Sequence, residues 1–314
     1  MAITNNFGSG VSGGNYSPNT YTELGSMIGK VAHQVIREVE AKNPMSVFDK
    51  MPVANGDTIE QAIVKLVEAQ GYDSTGAGAI TRDTSVKLAV QYFKNWQRHT
   101  YKTTVDVPMI RKALVDGKGA SDISSKLVSV LGQSALNDKF QSLKALLVWG
   151  TTTASWTDQI NSVIVGQTPV PVDTSGNQDN KAILKKIKNL VSQMKFVNTS
   201  CNRLGINRAT MEEDIYIIMP YTLRNSLDVD ELAGVFNLEK TDLKARIIEI
   251  DDTTHNYVYI VDKNCILAYT RLYEMADQKN ADGLFWNYFL HKEDLFGISA
   301  LFDSVFFEYN TARA

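Results

Sequence analysis

The chain has 314 residues, 44% hydrophobic and 21% charged, with a net charge of −3 and an isoelectric point near 5.9. That is enough apolar material for one or two cored domains, and it excludes a chain that is mostly disordered. The slightly acidic balance argues against a protein that grips nucleic acid tightly through phosphate contacts.

Residues 1 to 20 are rich in Gly, Ser and Asn, as in Gly8-Ser9-Gly10-Val11-Ser12-Gly13-Gly14. Alone in water such a stretch buries too little to order itself. It needs a surface to lie against, either a neighbouring subunit or the chain's own body. It also lacks the charged start and apolar stretch of a signal peptide. No run of 18 apolar residues occurs anywhere, so no membrane-spanning helix is expected. From Thr20 to Lys42 the spacing of Leu24, Met27, Ile28, Val31, Val35, Ile36 and Val39 predicts a helix, stopped by Asn43-Pro44. Residues 45 to 56 form a connector with Pro52 and the turn Asn55-Gly56.

Asp57 to Gln70 is ambiguous. Ile59, Ala62, Ile63, Leu66 and Val67 fit a helix, and Asp57 with Glu60 resembles a capping box. A glycine-bearing tip follows at Gly71, Gly76 and Gly78. After it, Val86, Leu88, Val90 and Tyr92 alternate with Lys87, Ala89 and Gln91 as in a strand. Two arms around that tip point to a long hairpin. Thr100 to Val107 is β-branched and also strand-like. A long helix then runs from Asp122, its expected N-cap, to Trp149, with Gly150 as its stop. Its apolar face is Ile123, Leu127, Val130, Leu131, Phe140, Leu143, Leu146 and Leu147.

Residues 151 to 180 read as loop with short strands. Asp179 to Val197 is a basic amphipathic helix with Ile183, Leu184, Ile187, Leu190, Val191 and Met194 on one side. Ile215 to Met219 is a buried strand closed by Pro220, and a short helix starts at Tyr221. Lys244 to Ile250 and Tyr257 to Val261 are strands joined by a turn. Cys265 to Tyr273, Leu284 to Leu290 and Ile298 to Tyr309 complete a β-rich end.

Charge is uneven along this order. Arg82 to Lys112 holds seven Lys/Arg against two Asp; Lys181 to Arg208 holds seven and no acid; Met211 to Ala314 holds nine against 19 Asp/Glu. The opposite signs meet inside one molecule or between neighbours.

A search for chemistry returns little. His33, His99, His255 and His291 stand far apart, with no second ligand at metal spacing. Gly25 to Val31 only faintly resembles a phosphate loop, with three intervening residues instead of four and Val after the Lys. Glu212, Glu213 and Asp214, and separately Asp228, Asp230 and Glu231, form acidic clusters best read as solvated charge. The Lys181 to Lys195 stripe reads first as a solvated or acid-paired face, and second as a DNA contact. Cys201 and Cys265 make no C-x-x-C and read as reduced, partly buried thiols. No catalytic, cofactor-binding or metal-ligating residue is assigned.

The order of elements, with Ile215-Tyr-Ile-Ile-Met-Pro220, Ala245-Arg-Ile-Ile-Glu-Ile-Asp251, Tyr257-Val-Tyr-Ile-Val-Asp262, Leu284-Phe-Trp-Asn-Tyr-Phe-Leu290 and Gly297 to Phe307, resembles the tailed-bacteriophage major capsid proteins. The resemblance implies an α+β chain of the Hong Kong 97-type capsid fold. It implies an N-terminal arm over residues 1–48, an extended β-hairpin loop over 49–110 and a peripheral domain with a spine helix over 111–150. An axial domain over 151–250 and returning peripheral strands over 251–314 complete the division. It turns Asp57 to Gln70 into a strand. It implies a structural subunit of the virion, not an enzyme and without a cofactor. That subunit assembles in the host cytoplasm into hexamers and pentamers of an icosahedral shell around DNA.

Expected partners are other copies, a portal, and a separate scaffolding protein, since the arm starts at Met1 and shows no scaffolding segment. Packaged DNA is touched only weakly, and no membrane is involved. Lys87, Lys94 and Lys102 on the basic segment are the expected inter-subunit contacts toward the acidic C-terminal part. An encapsulin-like compartment of the same fold, an enzyme with an unrecognised α/β site, and a nucleic-acid-binding module built on Lys181 to Arg208 stay open as alternatives.

Overall fold

A computed structural model of the chain describes residues 41–53, 56–67, 69, 71–72, 74–76, 88–106, 119–151, 163–227, 246–252 and 254–311. Residues 1–40, which hold most of the expected arm and of the helix from Thr20 to Lys42, including the Gly25 to Val31 loop and His33, lie outside the described residues, as do Lys87 and the cluster Asp228, Asp230 and Glu231. Among the described residues, eleven strands and three α-helices follow in chain order. They are β1 (Ile59–Val64), β2 (Leu88–Phe93), β3 (Trp96–Asp106), α1 (Gly119–Thr151), β4 (Val165–Gly166), β5 (Val170–Pro171), α2 (Asn180–Met194), β6 (Ile215–Pro220), α3 (Tyr221–Ser226), β7 (Ile247–Ile250), β8 (Tyr257–Asp262), β9 (Ile266–Lys279), β10 (Phe285–Ile298) and β11 (Ser304–Thr311).

These residues fall into two compact units. The larger holds Asn43–Gln97, Lys139–Leu272 and Glu293–Ala314; the smaller holds Arg98–Asp138 and Tyr273–Lys292.

The larger unit is built on a six-stranded sheet in the order β4-β11-β8-β6-β7, with β5 pairing β11. All six residues of β6 are buried, as a strand covered on both faces must be. Alternation divides its side chains. Ile215, Ile217 and Met219 join Val258, Ile260, Val305 and Phe307 in one core. Tyr216 and Ile218 join Tyr259, Val261 and Ile250 in the other. The first core is covered by α2, whose six predicted apolar residues are all buried. Each such side chain contributes about 1.5–3 kcal/mol on leaving water. Asp179 caps α2 by accepting from Ala182 N at 2.9 Å.

The second core takes Phe140, Leu143 and Leu147 from α1 and, from the connector, Met45 and Phe48, both 0% exposed. That connector was expected to do no more than link. Instead its 3-10 turn Ser46–Phe48 seals the sheet. β7 and β8 are consecutive but not neighbours: β6 lies between them, parallel to β7 and antiparallel to β8.

The ambiguous segment is a strand. β1 pairs antiparallel with β2, from Ile59↔Phe93 to Val64↔Leu88. β3 starts earlier than the β-branched run predicts and belongs to a second sheet, in the order β3-β10-β9. In the smaller unit, Tyr101, Leu131, Ala135, Tyr288 and Leu290 form a compact cluster.

The long helix also departs from expectation at its ends. It begins at Gly119, ahead of Asp122, and continues through Gly150 to Thr151. Gly150 is therefore not a stop. A Cβ there would lie 2.6 Å from Ile298 Cδ1 and 3.0 Å from Ile164 Cδ1, so the glycine serves close packing. Both isoleucines are buried and have little room to yield. Gly150→Val should therefore overpack the second core and lower stability by about 1–3 kcal/mol, read as a fall in melting temperature.

Candidate inter-subunit surface

The two faces of the β1–β2 hairpin meet different surroundings. Register sets Glu60, Ala62 and Val64 on one face with Tyr92, Val90 and Leu88. On that face Val64 is 73% exposed, Tyr92 58% and Leu88 51%. Beyond the paired residues Leu66, Val67 and Tyr72 are exposed as well. This is a run of large apolar side chains that the described residues leave open to water. Such a patch marks an interaction surface more often than chance scatter does.

The opposite face, Ile59, Gln61, Ile63, Ala89, Gln91 and Phe93, is partly buried and tied down. Gln91 Oε1 accepts from Ala300 N at 2.9 Å, and Gln61 Nε2 donates to Asn264 O at 3.3 Å. Phe93 lies on Gly297, where a Cβ would come within 2.7 Å of its ring. Before the hairpin, Lys50 N and Val53 N donate to Ala268 O and Thr270 O, so this stretch follows β9.

Arg271 holds the foot of the hairpin. Its Nε and Nη2 reach the Glu293 carboxylate at 3.1 and 2.6 Å, a forked pair. Its Nη1 donates to Asp57 Oδ1 at 2.6 Å and to Gly56 O at 3.1 Å. The guanidinium also lies over the Trp96 ring, 4.8 Å from its centroid, while Trp96 Nε1 donates to Asp57 O at 3.0 Å. A planar cation with five donors can reach all of these partners at once; an ammonium cannot. Nothing in the sequence singles out Arg271, because Asp57 lies 214 residues from it and Trp96 far from both.

Of the three predicted contact lysines, Lys94 is exposed, just past β2 in the larger unit. Lys102 belongs to the smaller unit, with Nζ 5.5 Å from the Phe289 ring centroid. Lys87 lies outside the described residues. The other sequence candidates resolve into local pairs. Glu212 pairs with Lys195 at 2.9 Å, His255 with Asp252 at 3.0 Å, and His291 Nδ1 with Thr100 Oγ1 at 3.0 Å. Among the described residues no group of three or more His, Cys, Asp or Glu is placed to hold a metal.

The densest polar cluster was not foreseen. Asp262 and Asp303 are both 0% exposed. Arg208 Nη2 pairs with Asp262 Oδ2 at 2.9 Å and lies 4.0 Å over the Phe302 ring. Thr210 Oγ1 donates to Asp303 Oδ2 at 2.8 Å, and Asn202 Nδ2 to Asp303 Oδ1 at 3.1 Å. Asn264 N donates to Asp262 Oδ1 at 2.8 Å. Burial pushes both carboxyls above the usual range, against the opposing pull of these hydrogen bonds and of Arg208. Cys201 and Cys265 lie in the same region, with thiols pushed up by burial to about 11 and about 12. The carboxylates are shut from solvent, so the cluster joins the 198–210 segment to the turns after β8 and β10; it is not laid out to meet a substrate.

Comparison with solved structures gives the class. The fold matches the capsid structure of Staphylococcus phage Andhra with a TM-score of 0.73, at 9% identity over 90% of this chain and 88% of that one. It matches that of Cyanophage P-SCSP1u with a TM-score of 0.57, at 12% identity over 90% and 92%. The architecture is thus α+β, the Hong Kong 97-type fold of phage capsids. Over residues 4–308 the sequence matches the Phi29-like phage major capsid protein family, and the chain belongs to that family. It is 26% identical over 308 residues to the major capsid protein of Bacillus phage GA-1, covering 96% of this chain and 63% of the relative. It is 23% identical over 287 residues to that of Bacillus phage PZA, covering 90% and 62%. The chain therefore spans under two thirds of the length of these Bacillus relatives.

The raised carboxyls have a consequence for pH. A carboxyl whose folded value lies above its unfolded one adds stability while protonated and loses it as pH rises through the folded value. Asp303→Asn fixes the neutral form and keeps an acceptor for Thr210. From about pH 4 to about pH 8 the melting temperature of the variant should gain on that of the native chain. A gap that closes or reverses with rising pH would mean that Arg208 outweighs the burial.

Proposed function

We propose that the chain self-assembles into hexamers and pentamers of an icosahedral phage head enclosing double-stranded DNA. The observation that carries this reading is the set of exposed apolar side chains on and beyond the hairpin strands, Val64, Leu66, Val67, Tyr72, Leu88 and Tyr92, with the hairpin foot fixed by Arg271. A two-stranded hairpin is marginal by itself. It gains most by laying that face over a second copy of the chain. In this reading residues 1–48 are an arm, 49–110 the extended loop, 111–150 and 251–314 the peripheral domain, and 151–250 the axial domain. A portal and a scaffolding protein complete the set of partners. Membership of a phage capsid family favours DNA over protein cargo as the contents.

Electron microscopy of the purified protein tests the reading. Closed particles of uniform diameter are expected; a monomer at every concentration would refute it. Arg271→Ala should leave the thermal transition of the six-stranded sheet in place while lowering the yield of closed particles several-fold, because the hairpin foot is freed. Charge reversal by Lys94→Glu with Lys102→Glu should weaken assembly, most visibly at low salt, where exposed charges are least screened. Unchanged shell yield at low salt would remove these lysines from the contact.

A further inference from the structure

The exposed side of α2 has a charge distribution that the fold itself does not call for. Its inner side is spent on the sheet, through Ile183, Leu184, Ile187, Leu190, Val191 and Met194. Its outer side presents Lys181, Lys185 and Lys188, all exposed, followed by Asn189, Ser192 and Gln193. The three lysines are spaced i, i+4, i+7, so they form one row spanning about 10 Å along the helix axis. No acid occurs between Lys181 and Arg208. Among the described residues the side chains of these three lysines take no ion pair or hydrogen bond. Lys195, at the C-cap of the helix, is paired with Glu212 and Arg208 with Asp262, so the remainder of the basic segment is partly spent internally.

The placement is unfavourable on three counts. Lys181 and Lys185 repel at i, i+4, as do Lys185 and Lys188 at i, i+3. Lys181 stands in the first turn, at the positive end of the helix macrodipole, where the N-cap Asp179 turns its carboxylate to the Ala182 amide. A solvated helix face ordinarily interleaves Glu with Lys and so avoids all three costs. A face built wholly of cations and neutral polar groups is suited to an anion.

Its chemistry also chooses between kinds of anion. Protein interfaces centre on aromatic and apolar side chains and are depleted of Lys. Backbone contacts to nucleic acid come from Lys, Ser, Asn and Gln, the set found here. Duplex DNA offers one charge per about 1.7 Å of axis, so a row of this length meets phosphates in any register.

We infer that the Lys181–Lys185–Lys188 row of α2 is a sequence-independent contact for the phosphate backbone of double-stranded DNA. This rests on the capsid reading above. Each contact is weak, as the net charge of −3 requires, and gains its effect by repetition over many copies.

The test is Lys181→Gln, Lys185→Gln and Lys188→Gln combined, with Lys185→Gln alone and Lys195→Gln as companions, all in the full chain. Binding of the soluble chain to duplex DNA is measured by anisotropy over a salt series, and particle formation by microscopy. The slope of log affinity against log salt should fall by about three for the triple variant and about one for Lys185→Gln. It should not change for Lys195→Gln, and shells should still form. An unchanged slope in a natively melting triple variant overturns the inference, as does a native chain that fails to bind duplex DNA even at low salt. Loss of shells with native melting also overturns it, placing the row in a contact between copies. Absence of particles from the native chain refutes the capsid reading separately, since the salt slope is measured on subunits.

Discussion

A strand such as β6, with every side chain buried, can exist only if both faces of its sheet are covered. Most of the larger unit follows from that requirement. Ile215, Ile217 and Met219 demand a lid on one side, supplied by α2; Tyr216 and Ile218 demand one on the other, supplied by the end of α1 with Met45 and Phe48. The parallel pairing of β7 with β6, and the position of β8 and β11 beyond it, keep the most apolar strands central. Polar loops are then left to manage their own hydrogen bonds. The Arg208, Asp262, Asp303, Thr210 and Asn202 cluster does so at the end of β8.

Elements whose cover comes from within the chain were legible in the sequence. α2 shows six apolar residues at helical spacing, and all six are buried. β6 is an unbroken apolar run ending at Pro220. β1 was misleading for a physical reason. Alternation reads well when one face is apolar and the other polar, but here Ile59 and Ile63 face inward while Ala62 and Val64 face water. Apolar residues on both faces imitate helical spacing, and only the resemblance to a capsid fold turned the segment into a strand. Gly150 misled in a similar way, because a glycine required by Ile164 and Ile298 looks in sequence like a helix terminator.

The polar assemblies were not legible. Arg271 draws on Asp57 and Glu293, and Arg208 on Asp262, across separations that no local pattern records. Each is one arginine serving several acceptors, and composition gives no sign of which arginine that is. The basic and acidic segments were visible, but not how they divide. Part of the charge is matched within the molecule, at Lys195–Glu212 and Arg208–Asp262, and part is left on the outside of α2.

The two cysteine thiols set a boundary on how the proposed shell could be reinforced. Cys201 and Cys265 are each 0% exposed, and their burial keeps them in the unreactive protonated form. Neither can meet the sulfur of another copy while the fold is intact. Passage from a reducing interior to an oxidising medium therefore leaves the bonding between copies unaltered. In the proposed assembly these two thiols add no covalent link between copies.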